Sequence, residues 1–496
     1  MFTRSSGILM PVFSLPSPYG IGNLGKEAYR FVDFLASSGQ TWWQILPLGP
    51  TSYGDSPYQS FSTFAGNPYF IDPDTLIREG LLTKKEALSY DWGSDPRNID
   101  YEKIYLSRTD LLRKAFLRDP DSSRKIDEFK KVNAWAEDYA LFMALKKKYG
   151  MKSWIEWPDR DIRTREPSAV LRAKEELRED IDLGIYIQYL FDVQWTKLKA
   201  YANGLGIKIL GDLPIYVALD SSDVWADPDN FLLDSDHLPR EVAGVPPDAF
   251  SDEGQLWGNP LYNWQRMESD GYSWWIRRIE QAARWYDSIR IDHFRGFDSY
   301  WAVPFGEETA ISGQWVKGPG LKFINTMTSW FSNVDFIAED LGILTDSVRD
   351  LLRDSKLPGM KVLEFAFDPG SDSDYLPHNH NENSVCYAGT HDNDTIIGWI
   401  KSSPVKNIRF AKKYLGVKTN AELPEALIRA GMGSVSKLFI CQMQDYLGLD
   451  TEARINTPST LGGNWCWRAD KGYLSKKLSN RIRTLSETYG RFFYKP

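Results

Sequence analysis

The sequence is poor in cysteine, and its few cysteines are not spaced to bind a metal. The 496 residues include Cys386, Cys441 and Cys466 and no others of this type. They form no Cys-x-x-Cys pair and no Cys/His spacing typical of zinc ligands, which argues against a disulfide framework and against a zinc site. We therefore predict no bound metal and no cofactor.

Long apolar runs are also lacking. No stretch approaches the roughly 18 consecutive apolar residues that a membrane-spanning helix requires. The first residues, MFTRSSGILMPVFSLP, contain no long apolar run followed by a cleavage site, as a secretion signal would. We expect a cytoplasmic protein with no membrane partner.

The chain has no excess of positive charge and no phosphate loop next to a predicted strand. Lysine and arginine number 59 against 67 aspartates and glutamates, which gives a net charge of −8. An excess of negative charge on the protein repels the phosphates of nucleic acids, so we expect no nucleic-acid partner. No GxGxxG or GxxxxGK(S/T) motif directly follows a predicted strand, which disfavours a nucleotide-binding sheet.

Aromatic residues, by contrast, are abundant. The chain contains 19 tryptophans, 25 tyrosines and 25 phenylalanines, and many lie in Gly/Pro-rich segments such as TWWQILPLGP, GQLWGNPLYNW and GGNWCWR. Loops mostly run over the surface, so these rings do not all belong to a core. Flat rings in a cleft suit ligands with apolar faces, sugars among them, and ordinary core packing is the alternative.

Short apolar runs alternate with helical patterns along the chain. Eight such runs lie near residues 8, 42, 208, 289, 335, 361, 385 and 455. This alternation predicts an α/β protein with a parallel sheet, and eight units predict a (β/α)8 TIM barrel. A doubly wound open sheet is the alternative. The chain ends in a helical pattern at 471–490, so we expect no C-terminal β-sandwich.

Two stretches interrupt the alternation and predict insertions into one catalytic barrel spanning 1–496. The stretch 70–185 is dominated by charged helical patterns and predicts a helical insertion after the second strand. The stretch 218–263 is rich in proline, aspartate and glycine. Because it is long for a loop, we expect a loop-rich insertion over the cleft, after the third strand.

Carboxylates follow three of the predicted strands. Asp292 ends SIRID, Glu339 ends DFIAE, and Asp392 follows YAGTH. In a barrel the carboxyl ends of the strands surround one cleft, so these side chains are expected to converge. Loop starts and helix N-caps are the structural alternative, and a phosphatase-like metal cluster is the chemical one.

The neighbours of these carboxylates suggest different protonation states. Arg290 and Asp292 share a face of their strand, and a guanidinium lowers the pKa of a nearby carboxyl, which suits an ionised nucleophile. Glu339 has no adjacent cation, and aromatic surroundings are expected to hold it protonated. One ionised and one protonated carboxyl are the requirement of glycoside chemistry. Asp392 would then stabilise a cationic sugar ring.

The motifs around these residues resemble glycoside hydrolase family 77, the 4-α-glucanotransferases of the amylomaltase type. The resemblance runs along most of the chain. Its motifs are PSPYGIGNLG at 16–25, TWWQILPLGPT at 41–51, YGDSPYQSFSTFAGNPY at 53–69, GDLPIYVALDSSDVWADP at 211–228, QLWGNPLYNW at 255–264, RIDHFRGF at 290–297, IAEDLG at 337–342, GTHDNDT at 389–395 and INTPSTLGGNWCWR at 455–468.

The resemblance implies a role for each catalytic position. Asp292 matches the nucleophile that forms a β-glucosyl-enzyme, and Glu339 matches the acid/base. Asp392 matches the residue that stabilises the transition state and binds sugar hydroxyls at the −1 subsite. Arg290 and His391 match residues that orient the nucleophile and bind that sugar.

Further positions are implied to bind substrate. Asp212 matches a position near the arginine, with a strand-end hydrogen bond as the alternative. Tyr58 and Trp257 are expected to stack on glucose faces, and Asp368 and Asn464 to bond hydroxyls, with loop packing as the alternative for each. His293 is expected to point away from the site and to pack, if strand alternation continues through it.

The function implied by the resemblance is transfer of an α-1,4-glucan segment to the 4-hydroxyl of glucose or of another glucan, with retained configuration. The expected substrates are maltooligosaccharides and α-1,4-glucans derived from starch or glycogen, with glucose as an acceptor. The segment 244–260 is expected to keep water from the cleft. The alternatives are an α-amylase-like retaining hydrolase on the same barrel and a glucan-binding protein without catalysis.

Overall fold

The computed structural model describes residues 2–52, 54–247, 251–342, 344–460 and 462–492. Within these ranges twelve strands alternate with helices along the chain. The strands are β1 Ser5–Leu9, β2 Trp42–Gln44, β3 Lys208–Leu213, β4 Glu241–Val245, β5 Gln255–Pro260, β6 Ser288–Ile291, β7 Ser299–Pro304, β8 Gln314–Lys317, β9 Asp335–Ala338, β10 Gly359–Val362, β11 Ser384–Tyr387 and β12 Leu438–Gln442.

Eight of the described strands form a parallel barrel. Their spatial order is β10-β11-β12-β1-β2-β3-β6-β9, so each strand neighbours the next barrel strand along the chain. The two ends of this order also meet, because Ala338 N donates to Pro358 O at 2.9 Å. Strands such as β6, β11 and β12 are buried along their whole length, as a sheet covered by helices requires. The predicted (β/α)8 barrel is confirmed.

The last strand of the barrel is not the one that the sequence predicts. The run at 454–458 is a loop, and the eighth strand is β12, Leu438–Gln442. Short apolar runs in strands and in buried helices have the same pattern. For this reason the sequence LFICQ of β12 cannot be distinguished from part of a helix by its pattern alone. Ile455, the apolar residue of the mistaken run, is fully buried beneath its loop.

Helices cover the barrel and fill the long connection after β2. They are α1 Lys26–Ser37, α2 Pro73–Arg78, α3 Lys84–Ala87, α4 Tyr101–Arg118, α5 Ser122–Val132, α6 Ala136–Lys148, α7 Arg160–Arg163, α8 Pro167–Glu176, α9 Arg178–Gly204, α10 Ser222–Ala226, α11 Trp264–Ser269, α12 Ser273–Trp285, α13 Gly320–Trp330, α14 Asp346–Ser355, α15 Ile396–Ser402, α16 Val405–Leu415, α17 Leu423–Gly433, α18 Met443–Leu447 and α19 Lys476–Thr488. No helix in the described ranges combines the length and apolarity needed to cross a membrane.

The stretch 218–263, expected to lack regular structure, contains the strands β4 and β5. They belong to a small antiparallel sheet with the order β5-β4-β7-β8, in which Val242 pairs with Val303 and Trp301 with Trp315. Two of its strands lie after β3 and two after β6, so the pairing of β4 with β7 that joins the two halves is not local in sequence. Such pairing leaves no turn signature, which explains why the sequence does not reveal it. The boundaries of the two insertions stay predictions.

Candidate active site

Asp292 and Glu339 follow neighbouring barrel strands at the same level. Ile291 of β6 is in register with Ala338 of β9, and Glu339 N donates to Ile291 O at 3.0 Å. Paired strands are about 4.8 Å apart. The two carboxyl side chains therefore leave the barrel side by side at its carboxyl end.

A buried arginine links Asp292 to the preceding strand. Arg290 Nη1 lies 2.8 Å from both carboxylate oxygens of Asp212 and 2.9 Å from Asp292 Oδ1. Arg290 is 3% exposed, and Asp212 is its register partner on β3. One guanidinium is thus shared by two carboxylates, one fully buried and one facing the cleft.

The predicted low pKa of Asp292 is not what this environment produces. Burial raises the pKa of Asp292, and Arg290 opposes this shift without cancelling it. The negative charges of Asp212 and Asp392 act in the same direction as burial. The arginine keeps ionisation of Asp292 accessible in a site that otherwise disfavours it.

Glu339 accepts two hydrogen bonds from the backbone. His293 N donates to Oε2 at 2.7 Å, and Leu341 N donates to Oε1 at 2.9 Å. Burial nevertheless raises the pKa of Glu339; the charge of Asp292 adds to this, whereas Arg290 and the two amides oppose it. The expected upward shift of the Glu339 pKa is confirmed. Its causes are burial and the charge of Asp292, whereas the sequence suggested aromatic rings as the cause.

The strand β6 ends at Ile291, so the argument from strand alternation does not extend to His293. This residue has a φ of 52° and a ψ of 48°, in the left-handed region. Its ring packs edge-on against Trp257 of β5, with the centroids 4.8 Å apart. The turn at His293 directs its backbone amide to Glu339 while its side chain supports a residue that lines the cleft.

Asp392 lies on the loop after β11 and is held by side chains of two loops. His391 Nε2 lies 3.3 Å from Asp392 Oδ1, and Asn456 Nδ2 donates to the same oxygen at 2.6 Å. Arg454 Nη2 donates to the main-chain oxygen of Asp392 at 2.6 Å. The side chain of Asp392 is 42% exposed, more than the 30% of Asp292.

Tyr58, on the loop after β2, joins the two sides of the site. Its hydroxyl donates to Asp212 Oδ2 at 2.8 Å, and its ring is stacked on His391 with the centroids 5.1 Å apart. Burial raises the pKa of Tyr58, so the phenol stays protonated. Trp465 also contacts this ring, with the centroids 5.7 Å apart, and stacking of Tyr58 on a glucose face stays a prediction.

Tyr58, Asp292, His391 and Asp392 border one cleft at the carboxyl end of the barrel, and Glu339 lies on the strand end next to Asp292 without being part of that lining. The cleft holds about 1640 Å³, its open mouth included. Its walls combine aromatic rings with carboxylates and amides, as a ligand with both hydroxyls and apolar faces requires. The walls include Tyr58, Trp257, Asp292, His391, Asp392 and Asn456. In the part of the chain that the structure describes, no three His, Cys, Asp or Glu side chains are grouped as metal ligands.

Two predicted substrate-binding residues lie apart from this arrangement. Asp368 is exposed, pairs with Lys406 at 3.4 Å and is not among the residues that line the cleft. Asn464 accepts a hydrogen bond from Thr457 N at 2.9 Å and donates to Thr460 O at 3.1 Å. Its amide therefore fixes its own loop, and the hydroxyl-binding roles of both residues stay predictions.

Sequence reasoning missed Asn456 and Arg454. Both lie in the run that was mistaken for the eighth strand, ARINTP. An available signal was the proline at 458 together with two polar side chains at 454 and 456, which is unusual for a buried parallel strand.

The comparisons with known proteins show the family of the chain. The family model for 4-alpha-glucanotransferase, glycoside hydrolase family 77, matches residues 10–474. A 4-alpha-glucanotransferase of Clostridium butyricum is 47% identical over 488 residues, covering 97% of this chain and 100% of that protein. One of Thermus thermophilus is 45% identical and covers 98% of each chain.

Solved structures give the same result. Amylomaltase from Streptococcus agalactiae, in complex with acarbose, matches with a TM-score of 0.96 at 42% identity. The match covers 99% of this chain and 100% of that one. Because the family model and these relatives span nearly the whole chain, the chain belongs to glycoside hydrolase family 77, the 4-alpha-glucanotransferases.

Proposed function

We propose that the protein transfers a segment of an α-1,4-glucan to the 4-hydroxyl of glucose or of another α-1,4-glucan, with retained configuration. The observation that carries this proposal is the pair Asp292 and Glu339 on adjacent strand ends, with Asp292 lining a cleft that has aromatic walls. Strands about 4.8 Å apart suit the separation of about 5–5.5 Å between the carboxyls of retaining enzymes. The substrates are maltooligosaccharides and glucans derived from starch or glycogen.

The first step forms a glucosyl-enzyme. Asp292 attacks the anomeric carbon while protonated Glu339 gives its proton to the glycosidic oxygen, so the C–O bond breaks and the reducing-end fragment leaves. The raised pKa of Glu339 favours the protonated form that this step needs. Asp392 stabilises the positive charge that develops on the sugar ring.

The second step reverses the first with a new acceptor. Glu339, now a carboxylate, takes the proton of a 4-hydroxyl, whose oxygen attacks the anomeric carbon and displaces Asp292. Two inversions at the same carbon retain the α configuration. Arg290 stabilises the released carboxylate through the bond that it makes to Asp292 Oδ1.

Transfer requires that a sugar outcompete water for the glucosyl-enzyme. The segment proposed for this task is 244–260, of which 248–250 lie outside the described residues. The described part supplies Gln255, Trp257 and Asn259 to the wall of the cleft. Such a wall favours an acceptor that makes several contacts over a single water molecule.

The test is a product ladder from maltotriose alone, sampled over time, with total reducing ends assayed in parallel. We expect glucose together with maltooligosaccharides longer than the substrate, and a constant number of reducing ends. Rising reducing ends without longer products would instead identify a retaining hydrolase on the same barrel. Unchanged maltotriose would favour a glucan-binding protein without catalysis.

A further inference from the structure

The loop after the eighth barrel strand reaches back to Asp392, and this contact has a consequence for catalysis. We propose that Asn456 is a positioning residue, which fixes the carboxylate of Asp392 for transition-state stabilisation without neutralising its charge. This inference rests on the proposed function, because it assigns Asp392 the role given there.

Arg454 first brings the two loops together. Its Nη2 donates to the main-chain oxygen of Asp392 at 2.6 Å, and its Nε donates to the main-chain oxygen of Asn456 at 2.7 Å. A single guanidinium thus binds one carbonyl from each loop, which the fixed fork of an arginine makes possible. The backbone of Asn456 is thereby held at a set distance from the backbone of Asp392.

The side chain of Asn456 then fixes the carboxylate. Nδ2 donates to Asp392 Oδ1 at 2.6 Å, which is short for an N–H···O bond and typical of a charged acceptor. His391 Nε2 lies 3.3 Å from the same oxygen. Within the described residues the contacts of this carboxylate fall on Oδ1, so Oδ2 is left for a ligand in the cleft.

An amide suits this position better than a cation. Lysine or arginine at 456 would pair with Asp392 and weaken its action on a cationic sugar ring. An amide donates a hydrogen bond but carries no net charge, so Asp392 keeps its full negative charge in the cleft. The contrast with Asp292 is direct, since that carboxylate is held by the charged Arg290.

Replacement of Asn456 by aspartate tests this role with almost no change in shape. At alkaline pH two carboxylates would face each other, and their repulsion would displace Asp392. At acidic pH one of them takes up a proton, and the protonated oxygen again donates to its neighbour. The ionisable groups around this point are Asp392, His391, Asp292, Tyr58 and Arg454.

The experiment measures kcat for maltotriose disproportionation in Asn456→Asp and wild type between pH 5 and 8. We expect the variant to be slower by about 100-fold at the alkaline end and by about tenfold at the acidic end. The ratio of variant to wild type cancels the ionisations that both proteins share. A ratio that stays constant with pH, in a variant that melts like wild type, would overturn the proposal.

Asn456→Ala gives an independent check, because it removes the donor without adding charge. We expect kcat to fall about tenfold at every pH, with a melting temperature within about 2 °C of wild type. Asn383→Asp is the matched control, since this exposed asparagine donates to Lys356 O and lies outside the cleft lining. Unchanged kcat in Asn456→Ala would contradict the positioning role.

Asp392→Asn separates this inference from the proposed function. If Asp392→Asn is nearly inactive and Asn456→Ala is fully active, Asp392 keeps its role and the inference about Asn456 is wrong. If Asp392→Asn keeps near-normal turnover, the role of Asp392 itself is wrong, and the inference about Asn456 is wrong with it.

Discussion

The two sides of the cleft hold their carboxylates by different means. On one side Asp292 and Glu339 follow paired strands, and the buried Arg290 and Asp212 lie directly behind the nucleophile. On the other side Asp392 lies on a loop and is held by Asn456 and Arg454 of a second loop.

This difference matches what each carboxylate must do in the reaction. A nucleophile and a proton donor must keep a fixed separation, and strand register supplies it because adjacent strands cannot shift without breaking the barrel. A carboxylate that stabilises developing charge needs its full charge and the right orientation, and the neutral amide of Asn456 supplies both, since the charged Arg454 binds only the main-chain oxygen of Asp392. We therefore expect loss of either strand-end carboxylate to abolish transfer, and loss of a residue that only holds Asp392 to reduce it.

The largest effect is expected for Asp292→Asn. Loss of the nucleophile removes the covalent path, so we expect transfer from maltotriose to fall at least about 10³-fold. The amide is isosteric, and Arg290 retains Asp212 as a partner, so the fold should survive. The measurement is initial transfer rate, with the melting temperature as control. Near-normal turnover in a folded variant would remove Asp292 from its proposed role.

The second-largest loss of activity is expected for Glu339→Gln, and the size of this loss should depend on the leaving group of the substrate. We expect a loss of about 10²–10⁴-fold on maltotriose, because the glycosidic oxygen no longer receives a proton. A glucoside with an activated phenolic leaving group departs without that proton, so its first step should lose much less. The measurement compares the two losses in one preparation. Equal losses would contradict the acid role.

Asp212→Asn should change the pH dependence more than the maximum rate. Asp292 must be ionised to attack, so activity is lost as the pH falls through its pKa. The charge of Asp212 raises that pKa, and its removal should move the acidic loss of activity to lower pH. The alkaline loss, which follows deprotonation of Glu339, should move little.

The measurement for Asp212→Asn is the pH profile of kcat/KM on maltotriose. The charge of Asp292 raises the pKa of Glu339, so the profile reports the two carboxyls together. An acidic limb that stays in place or moves to higher pH would show that Asp212 does not act on Asp292 through its charge.

The smallest effect with a short donor is expected for Asp368→Asn. This carboxylate is exposed and pairs with Lys406 outside the cleft lining, so maltotriose transfer should change by less than about threefold. If Asp368 bonds hydroxyls, as predicted, KM should rise more for longer donors. The measurement is KM as a function of donor length. The same KM ratio for all lengths would remove Asp368 from the substrate-binding residues.

Much of the strand side could be predicted from sequence. Arg290 and Asp292 are two residues apart on one strand, and strand geometry alone places them on one face. Their pKa values could not be predicted, because burial of Asp292 depends on every element packed around it. Glu339 was expected to be protonated because of aromatic rings, whereas its environment combines burial with the charge of Asp292.

The loop side was less predictable. Asn456 lies 64 residues from Asp392, and nothing in local sequence connects them. The error at 454–458 hid this contact, since that run was predicted to be a strand and is the loop that reaches Asp392. The small sheet was missed because β4 pairs with β7, which lies after the next barrel strand.

The sequence by itself determined the alternation of strands and helices, the carboxylates at strand ends and the family, because these depend on local pattern and on motifs. The tertiary structure alone decided which strand closes the barrel and which amide holds Asp392. It also decided that burial raises the pKa of Asp292 by more than Arg290 lowers it. Those properties depend on distances between residues remote in sequence. Local sequence pattern does not determine such distances, because they are set by the packing of the whole chain.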